Sequence, residues 1–264
     1  MVQPAAFPWL VYLQGLVAVA VLAFGAWLWS LPRRDVSIAD SLWSLLFVAM
    51  ALIYAPGAAR VGVRARLLLV LLAIWALRLS VYIAWRNRGQ GEDRRYQAIR
   101  ARNQPRFALK SLVLVFGLQA ALAWVISLPL LGAIRSTRPL GIFDLCGVIA
   151  WFVGFVFEAG GDWQLQRFKA DRASAGRVLD RGLWRYTRHP NYFGEFLIWW
   201  GYCLIALGAG AWWSVPGPLL MSVLLLKVSG VALLEKDIGE RRPAYAAYVR
   251  RTNAFLPWPP RSDR

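Results

Sequence analysis

A chain of 264 residues that is 58% hydrophobic, only 17% charged and of mean hydropathy +0.45 has too little charge to cover a water-soluble domain. With 31 Lys and Arg against 14 Asp and Glu, its net charge of +17 suits anionic lipid headgroups or a polyanionic ligand such as a dinucleotide. Nucleic acid is disfavoured, because the basic residues lie between apolar runs and not on a soluble module.

Apolar runs of the length a bilayer requires recur near Pro8–Ser30, Ala39–Ala55, Leu67–Trp85, Leu109–Ala133, Ile142–Ala159, Tyr192–Leu207 and Val215–Leu234. The expected fold is all-α: a polytopic integral membrane protein of seven transmembrane helices, forming one membrane domain over residues 1–264. The first run has no basic stretch before it and is itself long enough to span, so it reads as a helix and not as a cleaved signal. The last two runs are joined by the Gly/Trp/Pro-rich segment 208–216 and are expected to form a helical hairpin. Cys146 and Cys203 both fall inside apolar runs and imply neither a disulfide framework nor a metal cluster.

The basic residues orient these spans. Five (Arg60, Arg64, Arg66, Arg135 and Arg138) fall on one side with the N-terminus, and 24 fall on the other. That asymmetry places the N-terminus outside and the C-terminus in the cytoplasm. The two long loops on the cytoplasmic side, 86–106 and 163–189, have room for structure outside the membrane.

Polar groups within the spans gather toward the same side, where each calls for a role. Asp40 opens the second span, Arg78 and Tyr82 lie toward the end of the third, and Glu158 and Asp162 share one face of the fifth. Glu235 and Lys236 close the seventh. The densest cluster is Arg185-Tyr-Thr-Arg-His-Pro-Asn-Tyr-Phe-Gly-Glu195, which carries Arg188, the only histidine, His189, and Asn191, Tyr192 and Glu195. Pro190 fits the first turn of the helix that follows, and the start of a helix favours an anion. A site basic at its mouth and apolar deeper in suits a phosphate-bearing cofactor from the cytosol and a hydrophobic small-molecule substrate from the bilayer. Gly89-Gln-Gly91 has no preceding strand and no third glycine, so a Rossmann unit is not expected. One histidine gives no metal site and no Ser-His-Asp triad.

Three segments carry a family resemblance: Asp162-Trp-Gln-Leu-Gln-Arg-Phe168, Gly182 through Glu195, and Tyr245-Ala-Ala-Tyr-Val-Arg-Arg-Thr-Asn-Ala-Phe-Leu-Pro257. Together they resemble the C-terminal half of the steroid 5-alpha-reductase family, and most closely its bacterial membrane branch. The resemblance is specific over about 140–260, the cofactor-binding half, and looser over helices one to three and their loop, 1–110. It implies seven helices, a cytosol-facing NADPH site and reduction of a carbon–carbon double bond conjugated to a carbonyl. By position it assigns Asn191 and Glu195 to the nicotinamide end and Asp162 to the ribose or adenine side. Glu158 falls where steroid reductases carry an asparagine. Arg78 and Tyr82 match an Arg-x-x-x-Tyr pair, Arg88 a phosphate-side arginine, and Tyr248 a tail that closes over the cofactor. Trp75 stands where the family has its catalytic tyrosine, and Asp40 where it has a catalytic glutamate.

The mechanism expected from this resemblance places the NADPH phosphates among Arg88, Lys169, Arg185 and Arg188, with the nicotinamide reaching spans two, three and six. Asp40, protonated in an apolar site, or Tyr82 polarises the enone carbonyl while hydride passes to the β-carbon. The protein is expected to act as a monomer. Isoprenylcysteine carboxyl methyltransferases share a similar Arg-His-Pro-x-Tyr-x-Gly segment and a Tyr-x-x-Tyr tail, so S-adenosylmethionine-dependent methyl transfer is the alternative. A non-enzymatic lipid-binding protein is the third reading.

Overall fold

A computed structural model describes residues 7–55, 61–228 and 244–261. It is all-helical, with no strand among the described residues. Among the described residues, four helices are long and apolar enough to cross a membrane: α1 (Trp9–Arg33), α3 (Val63–Asn87), the continuous run Phe107–Ile126, and α8 (Ile142–Ala170). Their large apolar side chains point outward in quantity; Leu10 is 72% exposed, Val21 65% and Val81 66%. Such surface is tolerable in lipid and not in water. The molecule is a helical membrane protein.

The described residues form two compact units: residues 1–140 with 206–214, and residues 141–205 with 215–264. In the first, α1 buries one stripe, Tyr12, Gly15, Val19, Ala23, Trp27 and Ser30, at the three- and four-residue spacing of a helix face. Gly15 lies under the Tyr54 ring, where a Cβ would come within 2.6 Å of Cε1. Tyr54, at the end of α2 (Ile38–Tyr54), in turn shares a 2.8 Å hydrogen bond with Ser127. Trp75 of α3 is fully buried, 6.0 Å from the Phe47 ring of α2. Trp75, expected from the resemblance at a catalytic tyrosine position, is thus part of the helix packing. Between α3 and the next apolar run lies a short helix, α4 (Arg94–Arg102), capped by the Asp93 side chain on the Arg95 N–H. The run Phe107–Ile126 comprises α5 (Phe107–Ser111), a π-helical stretch over Leu112–Gly117 and α6 (Leu118–Ile126). It is followed by α7 (Leu128–Ile134).

The second unit is organised by α8 and α9 (Pro190–Gly208), followed by α10 (Pro216–Val223), a π-helical turn to Val228 and a tail helix, α11 (Ala244–Arg251). The fifth apolar run was expected to end at Ala159, but α8 continues to Ala170. No proline interrupts Gly160-Gly161-Asp162, and the polar turns beyond remain helical. Glu158 and Asp162 therefore sit within a helix and not at its end. The sixth and seventh runs begin as helices at Pro190 and Pro216; the expected end of the seventh, with Glu235 and Lys236, and Arg60 on the other side lie outside the described residues.

Candidate functional site

The second unit is built on a glycine seam. Gly147, Gly154 and Gly161 recur every seven residues along α8, and Gly194 and Gly201 do so along α9. A Cβ on Gly154 would lie 2.6 Å from the Gly194 carbonyl oxygen, and one on Gly201 would lie 2.7 Å from that of Gly147. A Cβ on Gly194 would collide with the Gly154 oxygen and the Glu158 nitrogen. The two backbones touch because no side chain stands between them, the packing mode of small residues in membrane helices.

This seam brings the polar ends together. Gly161 lies against Pro190 and the Asn191 nitrogen, at 3.0 and 3.2 Å from where its Cβ would be. Asn191 Nδ2 then donates to Asp162 Oδ1 at 3.2 Å. Glu158 and Asp162 are buried, 2% and 5% exposed, while Asn191, Tyr192 and Glu195 are half-buried. Asp162 places a carboxyl group beside the first turn of α9. The preceding loop is fixed to the same part of α8. Leu183 N–H donates to Gln164 Oε1 at 2.9 Å, and Trp184 Nε1 donates to the Gly161 carbonyl at 3.0 Å. Gly182 allows this approach with φ +63°, a left-handed conformation that a side chain disfavours.

The segment 185–189 is bound along its length by the C-terminal tail. Arg188 N–H donates to the Asn253 carbonyl at 2.9 Å, Thr187 Oγ1 to the Phe255 carbonyl at 2.8 Å, and Trp258 N–H to the Tyr186 carbonyl at 2.9 Å. The buried Arg188 guanidinium donates to the Val249 and Thr252 carbonyls, satisfying the end of α11. Tyr248 Oη donates to the Trp184 carbonyl. His189 is buried and stacks on Tyr192, ring centroids 5.7 Å apart. Arg188 and Tyr248, expected at the cofactor, thus make contacts that hold loop to tail. Lys169 and Arg185 are exposed.

In the first unit a second polar cluster surrounds Asp40. Its Oδ2 accepts from Arg95 Nη2 at 2.7 Å and its Oδ1 from Tyr96 Oη at 2.6 Å. Gln119 Nε2 donates to Tyr96 Oη at 3.1 Å, and Arg95 Nε reaches Asp93 at 3.0 Å. Glu92 forms a two-point pair with Arg100 at 2.6 and 2.7 Å and accepts from the Val36 N–H. Burial opposes ionisation of Asp93, but its hydrogen bonds from Arg95 and that side chain's charge outweigh it and hold the carboxyl below its ordinary range. Burial likewise opposes the charge on Arg95, which Asp40 and Asp93 more than restore. Burial raises the Tyr96 phenol, and the Asp40 carboxylate raises it further.

Asp40 is therefore an ion-paired acceptor. The protonated donor expected from the sequence does not fit, because a guanidinium and a phenol already direct hydrogens at its two oxygens. Tyr82 lies in α3 with the Arg78 and Arg86 guanidinium groups 5.4 and 5.7 Å from its ring centroid. Arg88 is exposed just past the end of α3. Sequence reasoning missed Glu92, Arg95, Tyr96 and Gln119. Nothing local marks them, since Asp40 lies 55 and 56 positions from Arg95 and Tyr96. The glycine seam had a readable signal, the seven-residue spacing. No group of three His, Cys, Asp or Glu suited to a metal occurs among the described residues.

Residues 26–252 match the family described as "Protein of unknown function (DUF1295)". The chain belongs to the DUF1295 family. This family is part of the steroid 5-alpha-reductase-like group. The DUF1295 chain is similar to an uncharacterized protein of Schizosaccharomyces pombe, at 26% identity over 284 residues, spanning 93% of this chain and 79% of the relative. It is also similar to the Delta(14)-sterol reductase of Ascobolus immersus, at 32% identity over 79 residues, and to the mouse 3-oxo-5-alpha-steroid 4-dehydrogenase 1, at 30% over 73. Those matches span 25% and 28% of this chain, and only 18% and 26% of the two reductases. No solved structure matches.

Proposed function

We propose that this DUF1295 protein is a membrane reductase that uses NADPH to reduce a conjugated carbon–carbon double bond in a hydrophobic, lipid- or steroid-like molecule. The observation that carries this reading is the Asp162–Asn191 contact, with Glu158 and Glu195 on the same helices, at the start of α9. The similarity to a sterol reductase and a steroid dehydrogenase supports the reaction class. In this reading the amide and carboxylates orient the ribose and nicotinamide, while exposed Lys169 and Arg185 meet the phosphates. NADPH supplies hydride to the β-carbon of the enone, and a proton reaches the α-carbon, so the double bond is reduced as NADPH becomes NADP+. Asp40 already accepts two hydrogen bonds and is not the proton donor in this reading. The reading also takes seven spans, a cytoplasmic site and a monomer.

Calorimetric titration of the detergent-purified protein with NADPH and with S-adenosylmethionine tests this. NADPH binding, with no heat from S-adenosylmethionine, is expected. Binding of S-adenosylmethionine alone would establish the methyltransferase alternative, and binding of neither would favour a non-enzymatic lipid-binding protein.

A further inference from the structure

At one end of the first unit the helices are tied together by their connections. Arg100 Nη2 donates to the Arg34 carbonyl at 3.0 Å, just past α1, and Asp93 N–H donates to Ser37 Oγ at 2.8 Å, just before α2. The carboxylates at this end have internal partners. Glu92 is matched by Arg100, Asp40 and Asp93 by Arg95, and Asp35 accepts from the Ser37 N–H. What remains outside is cationic: Arg33, Arg34, Arg88, Arg94, Arg102 and Arg106 are exposed, and none forms an ion pair among the described residues.

The end of α3 adds two features. Leu77, Val81 and Trp85, 58%, 66% and 62% exposed, line an open apolar concavity of about 460 Å3 together with Arg78 and Tyr82. One turn further on, Arg86 Nε donates to Asn87 Oδ1 at 3.2 Å, and the buried Asn87 Nδ2 has no hydrogen-bond acceptor. A buried amide donor without a partner is costly, and here it stands between two arginines. Arg33 lies 3.6 Å over the exposed Trp29 ring at the end of α1.

We propose that the end of α3 binds an anionic phospholipid, its acyl chain along Leu77, Val81 and Trp85 and its phosphate at Arg86, Asn87 and Arg88. An apolar concavity followed one turn later on the same helix by Arg86 and Arg88 fits a phosphodiester of the adjoining bilayer better than a soluble anion, which would leave the concavity bare. The proposal does not require nucleotide binding at Asp162; Arg78 and Tyr82, which line the concavity, are the residues it shares with the reductase expectation.

The test compares the protein in nanodiscs of phosphatidylcholine alone and of phosphatidylcholine mixed with phosphatidylglycerol. Native mass spectrometry counts the lipid retained on release, and a brominated phosphatidylglycerol probes quenching of tryptophan fluorescence. Retention of phosphatidylglycerol over phosphatidylcholine on the order of tenfold is expected. The preference should be lost in Arg86→Gln/Arg88→Gln and kept in Arg135→Gln/Arg138→Gln at the other end of the unit. If the double variant does not fold, Asn87→Ala and the loss of bromolipid quenching in Trp85→Phe carry the test. Equal retention of the two lipids by the unaltered protein, equal loss in both double variants, or displacement by short duplex DNA as readily as by lipid would overturn it.

Discussion

The two units fix their polar groups by opposite means. Around Asp40 the connection α4 is held by charge: Arg95 and Tyr96 occupy both carboxylate oxygens, and Glu92 and Arg100 lock the flank. Around Asp162 the scaffold is backbone. Glycines let α8 and α9 touch, and the loop 185–189 meets the tail through main-chain carbonyls and N–H groups. Ion pairing uses up the groups it positions. Around Asp162, by contrast, glycine contact and backbone docking set where the helix, loop and tail lie.

The largest expected effect comes from filling the seam. Gly194→Ala drives a methyl group into the α8 backbone and should destabilise the protein by about 1–3 kcal/mol, together with loss of ligand binding at Asp162. Gly25→Ala, with nothing within 4 Å, should be neutral or stabilising by up to ~1 kcal/mol. Thermal unfolding in detergent measures both, and equal effects would dissolve the contrast. Next in size, Arg188→Ala leaves the last carbonyls of α11 without a donor and should cost about 1–3 kcal/mol, read as faster hydrogen exchange in residues 244–258. If exchange there is unchanged, the tail is held by something other than Arg188.

Smaller changes are expected on the charged side. Asp40→Asn removes a partly exposed ion pair and should loosen α4 by about 1 kcal/mol or less, seen as faster exchange confined to 93–102. The smallest effect is one of pH. Because the folded state holds the Asp93 carboxyl below its ordinary value, its contribution is present above that value and fades as pH falls through the lowered one. Exchange in α4, corrected for intrinsic rates, should therefore quicken under acid and not under mild alkali; the reverse order would contradict the assignment.

Much of the second cluster was legible in the sequence because its residues lie in short segments: Asp162 on one, Asn191 and Glu195 on another. The spacing of Glu158 and Asp162 also identified their shared helix face correctly. What was not legible was long-range pairing. Asp40 reads in the sequence as a buried acid suited to donate a hydrogen bond, and only the return of the chain at Arg95 and Tyr96 shows that both its oxygens already accept one. Arg188 looked like a phosphate ligand until the tail carbonyls appeared beside it. A side chain's type announces what it can bond, but which partner arrives first is decided by the fold.

On the proposed function, the Asp162–Asn191 cluster, and not the Asp40 cluster, would hold the nucleotide. NADPH fluorescence titrations of Asn191→Ala and Asp40→Asn test it most directly. The account predicts affinity at least about tenfold weaker in Asn191→Ala and nearly unchanged in Asp40→Asn. Undiminished NADPH affinity in Asn191→Ala, or an equal loss in both variants, would contradict it.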